Sequence, residues 1–168
     1  MIRNEYRERW AQWLPQALDA LAKDPPDYAS VMPNMPLPAP GPMPFARVSR
    51  PLRIAIVTSS GAYDTRSQAP FAASSIVGDP THRVLDAQIP AQHLEFAHEH
   101  FDHAPAKQDL ESIIPRETIR SLGAQLTPHL ISWTGFLLDW PTFIEATVPQ
   151  IVKQVKTDGA NAAVLVPI

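Results

Sequence analysis

The sequence predicts an α/β fold, a three-layer sandwich built around a mostly parallel β-sheet. Two short apolar segments, residues 52–58 and 162–166, carry this prediction. Such continuous runs of aliphatic and β-branched side chains are typical of strands that helices cover on both faces. Between them, residues 142–156 carry apolar side chains at three- and four-residue spacings, as an amphipathic helix does. Strand, helix and strand in this order indicate parallel pairing through a crossover connection.

Length and charge limit the class of protein. A chain of 168 residues can bury the core of one domain and is short for two. Its net charge of −3 argues against a nucleic-acid-binding surface, which needs a basic face. No apolar run reaches the roughly 18 residues of a membrane span, and the charged N-terminus lacks the apolar core of a signal peptide. We therefore expect a cytoplasmic protein whose partners include neither nucleic acid nor membrane.

Composition divides the chain into three segments. Residues 1–24 form a helical segment, in which Pro15 is expected to break or kink the helix. Residues 25–51 contain nine prolines, a density that excludes a helix and a central strand and predicts an extended arm. We expect its residues 32–45 to dock on the domain or on a second copy, because they carry methionines and a phenylalanine. Residues 52–168 form the α/β domain.

Three of the six histidines lie in one short segment, residues 94–103. As a β-strand, this segment has one face that changes from apolar to polar along Leu94, Phe96, His98, His100 and Asp102. As a helix, it would instead have an apolar stripe through Leu94, Ala97, His98 and Phe101. We favour the strand, because a strand of an open α/β sheet enters a site at its carboxyl end. His98, His100 and Asp102 are then candidate catalytic residues; the alternative is that the histidines are structural and hydrogen-bonded.

Two polar stretches are candidates for substrate binding. The loop after the first predicted strand offers hydroxyl and backbone N–H groups to an anionic ligand, through Thr58, Ser59, Ser60 and Gly61. The long irregular region at residues 64–92 adds an acid, an imidazole and a permanent cation, which are Asp79, His82 and Arg83. The glycine-rich dinucleotide- and phosphate-binding motifs are both absent from the sequence.

Several short motifs follow one another in a fixed order along residues 52–168. The first are Thr58-Ser-Ser-Gly61, Gln68-x-Pro-Phe71, Gly78-Asp79-x-x-x-Arg83 and His98-x-His100-Phe-Asp102. The later ones are Ile114-Pro115, Gly135-Phe136 and Gly159-Ala-Asn-Ala-Ala-Val-Leu-Val-Pro167. In this order and spacing, the motifs resemble the selenoprotein B family of glycine, sarcosine, betaine and D-proline reductases, including its short members.

The resemblance implies reductive cleavage of a C–N bond in a small amine or amino-acid-like substrate. In such an enzyme a thiolate or selenolate is the nucleophile, and the oxidised form holds a disulfide-type bond. Relatives are expected to carry their cysteine or selenocysteine just after the strand that matches residues 162–167, and this chain has no cysteine. We therefore expect the chain alone to be inactive, as a fragment incomplete at its C-terminus or a separate subunit, rather than a member that has lost the chemistry.

Under this interpretation, His98 or His100 donates a proton to the departing amine, because imidazole titrates near neutral pH. Arg83 would hold the substrate carboxylate through a bidentate pair. No metal and no cofactor are predicted. The expected partners are a small-molecule substrate and either further copies of this chain or other reductase subunits.

Two other functions stay open. His98, His100 and Asp102 on one strand face also match the ligands of a zinc or non-haem iron site, as in a metal-dependent hydrolase or oxygenase. The proline-rich arm and the helix that carries Trp10 and Trp13 would instead fit a non-catalytic assembly subunit.

Overall fold

The computed structural model describes residues 4–37, 47–48, 50–99 and 101–168. These residues form an α/β fold in which helices lie on both faces of a mostly parallel sheet. The fold class that the sequence predicts is therefore confirmed. No helix within these residues is long and apolar enough to cross a membrane.

β1 (Arg53–Thr58) is the central strand of a five-stranded sheet. Along one edge it pairs in parallel with β7 (Ala162–Val166). Along the other it pairs first with β5 (Gln125–Leu126) and then with β6 (His129–Ser132), again in parallel. β3 (Arg83–Asp86) lies beside β6 and is the antiparallel strand of the sheet. The predicted burial of the first strand is correct, since the last four residues of β1 are buried.

Side chains of the sheet alternate between two cores, one on each face. The first core contains Ile56, Leu85, Leu130 and, from α4 (Arg116–Ser121), Ile119. The second contains Val57, Ile131 and, from α6 (Val148–Thr157), Ile151. Complete burial of one such side chain stabilises the fold by about 1.5–3 kcal/mol. The two cores hold β1 in the middle of the molecule and so fix the position of the loop that follows it.

The remaining elements are short. A separate two-stranded antiparallel ribbon consists of β2 (Ala62–Asp64) and β4 (Leu94–Phe96). The other α-helices are α1 (Asn4–Leu21), α2 (Tyr28–Val31), α3 (His103–Gln108) and α5 (Trp140–Thr142). Single 3-10 turns occur at Met32–Asn34, Ala91–His93 and Leu110–Ser112.

α1 continues through Pro15 without a break, so the predicted break is wrong. Pro15 lies on the exposed side of the helix, where water can hydrogen-bond the carbonyl group that loses its helical donor. The buried side is held by two indoles. Trp10 donates to the carbonyl oxygen of Leu138 at 2.7 Å, and Trp13 donates to that of Val31 at 3.1 Å. Packing and these bonds therefore outweigh the local cost of proline.

The proline-rich segment is only partly extended. Tyr28–Val31 and Met32–Asn34 form consecutive helical turns, which corrects the prediction of an arm without helix. Asp27 caps the first turn by accepting a hydrogen bond from the backbone N–H of Ser30. Met32 and Met35 pack against the core that α1 shares with the domain. The docking predicted for Met43 and Phe45 lies outside the described residues.

β7 does not have the two covered faces that its apolar sequence predicts. Among the described residues it is the outermost strand of the sheet on its side of β1, and its residues alternate between half-buried and exposed. Leu165 is 72% exposed. The apolar run was correct for a strand but wrong for burial, because a run of this kind carries no information about which strand occupies the edge.

The predicted amphipathic helix is three consecutive segments. α5 leads into a π-helical turn, Phe143–Thr147, and α6 follows directly. In a regular α-helix the N–H of residue 149 would donate to the carbonyl oxygen of Glu145, and Pro149 has no N–H. The wider π-helical turn just before Pro149 accommodates this missing hydrogen bond. Two large apolar side chains of this region stay exposed: Val152 of α6 by 44%, and Leu122, after α4, by 78%.

Candidate functional site

The carboxyl end of the parallel strands is lined with hydroxyl groups. Thr58 ends β1 and pairs with Ser132, which ends β6. Two residues further along, Ser60 pairs with Thr134 in an isolated bridge. All four residues are buried, with relative exposures of 3% or less. Apolar strands with hydroxyl residues at their ends therefore bring a polar patch to the edge of the sheet where α/β proteins bind ligands.

The loop after β1 is fixed by its own backbone. Ser59 donates its N–H to the carbonyl oxygen of Val166 at 3.0 Å, and its Oγ accepts the N–H of Ile168 at 2.8 Å. Gly61 donates to the carbonyl oxygen of Trp133, and Ser60 donates to Oγ1 of Thr58. The predicted anion-binding N–H groups of this loop are thus already used inside the protein. Thr58 and Ser59 also use their hydroxyl groups as acceptors in these bonds, and the hydroxyl group of Ser60 remains for a ligand.

Two hydroxyl groups of the patch at the ends of β1 and β6 have no hydrogen-bond partner among the described residues. They are the Oγ atoms of Ser60 and Ser132, and both residues are fully buried. An unpaired buried polar group costs roughly 1–3 kcal/mol of folding free energy. Buried groups of this kind are usually satisfied by ordered water or by a ligand. The hydroxyl groups of Ser60 and Ser132 are therefore able to hydrogen-bond a water molecule or a ligand.

His98 lies against this patch. It follows β4, and it is 5% exposed. Gly135 separates it from the loop: a Cβ atom on Gly135 would lie 3.0 Å from Nε2 of His98 and 3.4 Å from Oγ of Ser59. Gly61 has a φ of +68°, and a Cβ there would lie 2.6 Å from the carbonyl oxygen of Ala97. Glycine at these two positions thus permits the close approach of the histidine segment to the loop.

Aromatic rings hold the back of His98. Its ring meets Phe101 edge to face, with centroids 5.2 Å apart. His103 donates its Nε2–H to the backbone carbonyl oxygen of His98 at 2.6 Å. His103 also lies 4.6 Å from Phe101 between ring centroids. These contacts fix the orientation of the segment on both sides of His98.

The strand predicted for residues 94–102 ends at Phe96, so the prediction of a single polar strand face is wrong. β4 pairs with the three residues of β2, and no residue of β2 is left to pair with the chain beyond Phe96. Asp102 is exposed and starts a helix instead: its carboxylate accepts the N–H of Ala104 at 2.9 Å as the N-cap of α3. His100 lies outside the described residues. Of the three predicted catalytic residues, the structure places His98 at the hydroxyl patch.

Asp79, His82 and Arg83 shape the long loop. The guanidinium of Arg83 lies 4.1 Å from the ring centroid of Phe71 and donates hydrogen bonds to the carbonyl oxygens of Ala69 and Pro70 and to the hydroxyl of Thr81. These bonds occupy the donors that a substrate carboxylate would need. The residue that sequence reasoning assigned to carboxylate binding therefore organises its own loop.

Asp79 and His82 of this loop have shifted pKa values. Burial raises the pKa of Asp79, but hydrogen bonds from Thr81 and from the N–H of Ala72, with the charge of Arg83, outweigh it, so the net pKa is below its usual value. Burial, and then the charge of Arg83, lower the pKa of His82. The loop therefore favours an ionised Asp79 and a neutral His82.

The space beside His98 is very small. It is a cavity of about 10 Å³, lined by Ala73, Gly78, His98, Glu99, Thr134 and Phe136. This is the lower limit for holding one water molecule. A second cavity of about 110 Å³ shares Ala73, Glu99 and Phe136 with it and extends to Leu21, Pro26 and Tyr28. The cavity at His98 is thus too small for an organic ligand, and the neighbouring cavity has room for part of one.

Sequence reasoning missed several residues of this wall. Thr134 and Glu99 were not selected, and Gly78 and Phe136 appeared within motifs without a role. The available signal for Thr134 was the hydroxyl pair Ser132 and Thr134 directly after two apolar residues, as in the stretch that ends at Thr58 and Ser60. Glu99 lies between two histidines and was visible for that reason.

A larger cleft lies elsewhere. It has a volume of about 280 Å³ and lies between β4 and α3, where Lys107 pairs with Glu95 at 2.8 Å across its rim. It contains none of the predicted site residues. No three histidine, aspartate or glutamate side chains within the described parts of the chain are grouped so as to hold a metal ion.

Comparisons with known proteins give one informative match. No protein-family model matches the chain, and no solved structure matches it. The chain is 25% identical over 127 residues to the D-proline reductase subunit gamma of Acetoanaerobium sticklandii, which covers 73% of this chain and 51% of that protein. The chain therefore spans about half the length of this curated relative. The match supports a distant relationship to the proline and glycine reductase family.

Proposed function

We propose that this chain is a reductase-family domain that binds a small amine or amino-acid-like substrate for reductive C–N cleavage. The observation that carries the proposal is the position of His98 beside the buried hydroxyl patch at the carboxyl edge of the parallel strands. The distant relationship to a D-proline reductase subunit supports the same reaction class. Because the chain contains no cysteine, the thiol or selenol must come from outside these 168 residues.

The reaction balances with one thiol pair. Two thiols, or a thiol and a selenol, give up two electrons and two protons and become a disulfide-type bond. The C–N bond of the substrate is replaced by one C–H and one N–H bond. His98 would deliver the proton to the departing nitrogen, since imidazole can carry a proton near neutral pH. The hydroxyl groups of Ser60 and Ser132 would hydrogen-bond the polar atoms of the substrate.

Substrate entry requires the wall beside His98 to open. The cavity of about 10 Å³ cannot hold an amino acid, whereas the adjoining cavity of about 110 Å³ provides a starting position. The exposed carboxylate of Glu99 lines both cavities and would attract an ammonium group. We therefore expect a cationic amine to bind first beside Glu99 and then to reach His98 as Phe136 moves aside.

A non-catalytic assembly subunit is the second candidate. It is favoured by the small size of the cavity at His98 and by the absence of a thiol from the chain. The curated relative is itself a subunit. The metal-dependent alternative is weaker, because the strand face that would align its three ligands ends at Phe96.

Ligand binding distinguishes the two candidates. Purified protein is titrated with D-proline, glycine and betaine, and binding is followed by saturation-transfer NMR and calorimetry. We expect millimolar or tighter binding of at least one of them, weakened at least about tenfold by His98→Gln. His93→Gln is the matched control, because His93 is half-buried in the 3-10 turn before β4 and lines neither cavity. Absence of binding by all three compounds, with the parent protein folded, would refute the proposal.

A further inference from the structure

The outer edge of β7 has the properties of a pairing surface. No strand of the described chain pairs with that edge. The five residues of β7 are all apolar, with no lysine, proline or bulge of the kind that protects exposed sheet edges. Ala163 and Leu165 are exposed, the latter by 72%. Such an edge is a template for another strand.

The direction of the backbone groups can be read from one hydrogen bond. The carbonyl oxygen of Val166 accepts the N–H of Ser59, so the peptide groups of Val166 face β1. Because these groups alternate along a strand, those of Ala163 and Leu165 face away from β1. The free edge therefore presents four hydrogen-bonding groups, two N–H and two C=O, from two residues.

We propose that a second copy of this chain pairs with β7 in the antiparallel direction, about a two-fold axis that passes beside Val164. In this register Ala163 is opposite the partner's Leu165, and Leu165 is opposite the partner's Ala163. Residues whose free groups face each other then form the hydrogen-bonded pairs of an antiparallel ladder. All four outward groups of each copy find partners. A two-fold axis needs exactly this self-complementarity of one surface patch.

The side chains fit the same register. On the α6 side, the exposed Leu165 covers the small Ala163 of the partner, and the reverse holds across the axis. On the other side, Ala162 is opposite the partner's Val166. Each alanine thus faces a larger aliphatic residue, which fills the pair without overcrowding. If the register shifted by one residue, the outward N–H and C=O groups of one copy would lie opposite residues whose own groups face β1, and the hydrogen bonds between the copies would be lost.

The resulting dimer would have one sheet running through both copies. The five strands of each copy would continue into the five of the other across the β7 junction. Because the two β7 strands are antiparallel, the two hydroxyl patches would face opposite ends of the joined sheet. This assembly is independent of the chemistry proposed above.

Sedimentation equilibrium of the full chain tests the assembly. We expect a dimer whose dissociation constant rises at least about tenfold in Leu165→Lys, which places a charge on the junction. Ala163→Pro should act likewise, because it removes an outward N–H that the monomer does not use. Leu122→Lys is the matched control: it alters an equally exposed leucine, 78% exposed, after α4, and should leave the dimer intact. A monomeric parent protein, or a dimer that survives both β7 substitutions, overturns the proposal.

Cross-linking tests the register itself, because the chain has no cysteine of its own. In the proposed register, Val164 of one copy lies opposite Val164 of the other as a non-hydrogen-bonded pair. The two Cα atoms of such a pair are about 4.5 Å apart, which is close enough for a disulfide. Val164→Cys should therefore form a covalent dimer on mild oxidation, and Ala162→Cys should not, since its own copy lies four residues away in register. Equal cross-linking of both variants, or of neither, would rule out pairing centred on Val164.

Discussion

Replacing Gly135 with alanine adds a methyl group where three segments of the candidate site meet. The new carbon would lie 2.9 Å from the carbonyl oxygen of Ile168, 3.0 Å from Nε2 of His98 and 3.4 Å from Oγ of Ser59. The first two distances are shorter than ordinary van der Waals contacts, and the third is at their lower limit. The contact with Ile168 is to backbone and cannot be relieved by rotating a side chain. The variant must therefore displace the segment after β7, the histidine, or both.

The expected cost follows from the packing of this region. An extra methyl group in a well-packed interior destabilises a protein by about 1–3 kcal/mol. For a chain of this size, each kcal/mol corresponds to roughly 2–4 °C in Tm. Gly135→Ala should therefore lower Tm by roughly 2–12 °C in a calorimetric or fluorescence melt. It should also shift the imidazole nitrogen signals of His98 in a long-range proton–nitrogen NMR spectrum.

Gly123→Ala separates the local effect from general destabilisation. Gly123 has a φ of +77°, and no atom lies within 4 Å of a Cβ placed on it. Alanine there costs about 1–2 kcal/mol through left-handed backbone strain, without a contact near the site. Both variants should melt earlier, and only Gly135→Ala should move the His98 signals. A Gly135→Ala protein that melts within about 1 °C of the parent, with unchanged His98 signals, would refute the described packing.

Three further outcomes are expected. Asp102→Ala should lower the unfolding free energy by roughly 0.5–2 kcal/mol, as loss of an N-cap does, and leave ligand affinity unchanged in the NMR titration; a large loss of affinity would instead return Asp102 to the site. Asp79 has a lowered pKa, so its ionised form stabilises the fold above the ordinary carboxyl pKa near 4, and that contribution is lost as pH falls through the lowered value. Asp79→Asn should therefore flatten the acid side of the stability–pH profile measured by urea unfolding, and an unchanged profile would contradict this. The isolated chain should not turn over D-proline, glycine or betaine with a dithiol donor, and product formation in a chromatographic assay would disprove the need for an outside thiol.

The central strand could be predicted from local sequence because its burial and its apolar pattern have one cause. Residues 54–57 are apolar because helices cover both faces of β1. β7 has the same apolar pattern but an unpaired edge, because the sequence of a strand does not specify which strands lie beside it. Pro15 was misjudged for a related reason: the indole bonds of Trp10 and Trp13 that hold α1 come from residues far along the chain.

The histidine segment shows where pattern reasoning fails. Alternation predicted a five-residue strand face that changes from apolar to polar, but a strand lasts only as long as its partner, and β2 has three residues. A local signal for the correct answer was present, since an aspartate with Pro105 in the first turn after it is typical of a helix start. The approach of His98 to Ser59 had no such signal. It depends on Gly135, which lies 37 residues beyond His98 in the chain.

The energetic state of the hydroxyl patch is the strongest physical reason to assign it a ligand. Without a water molecule or ligand as partner, the hydroxyl groups of Ser60 and Ser132 would together cost roughly 2–6 kcal/mol, a sizeable fraction of a typical folding free energy of about 5–15 kcal/mol. A ligand that opens the wall at Phe136 and reaches both hydroxyl groups would recover that energy on binding. Moving the residues beside His98 costs free energy, and the hydrogen bonds that a ligand would make with Ser60 and Ser132 would offset part of that cost.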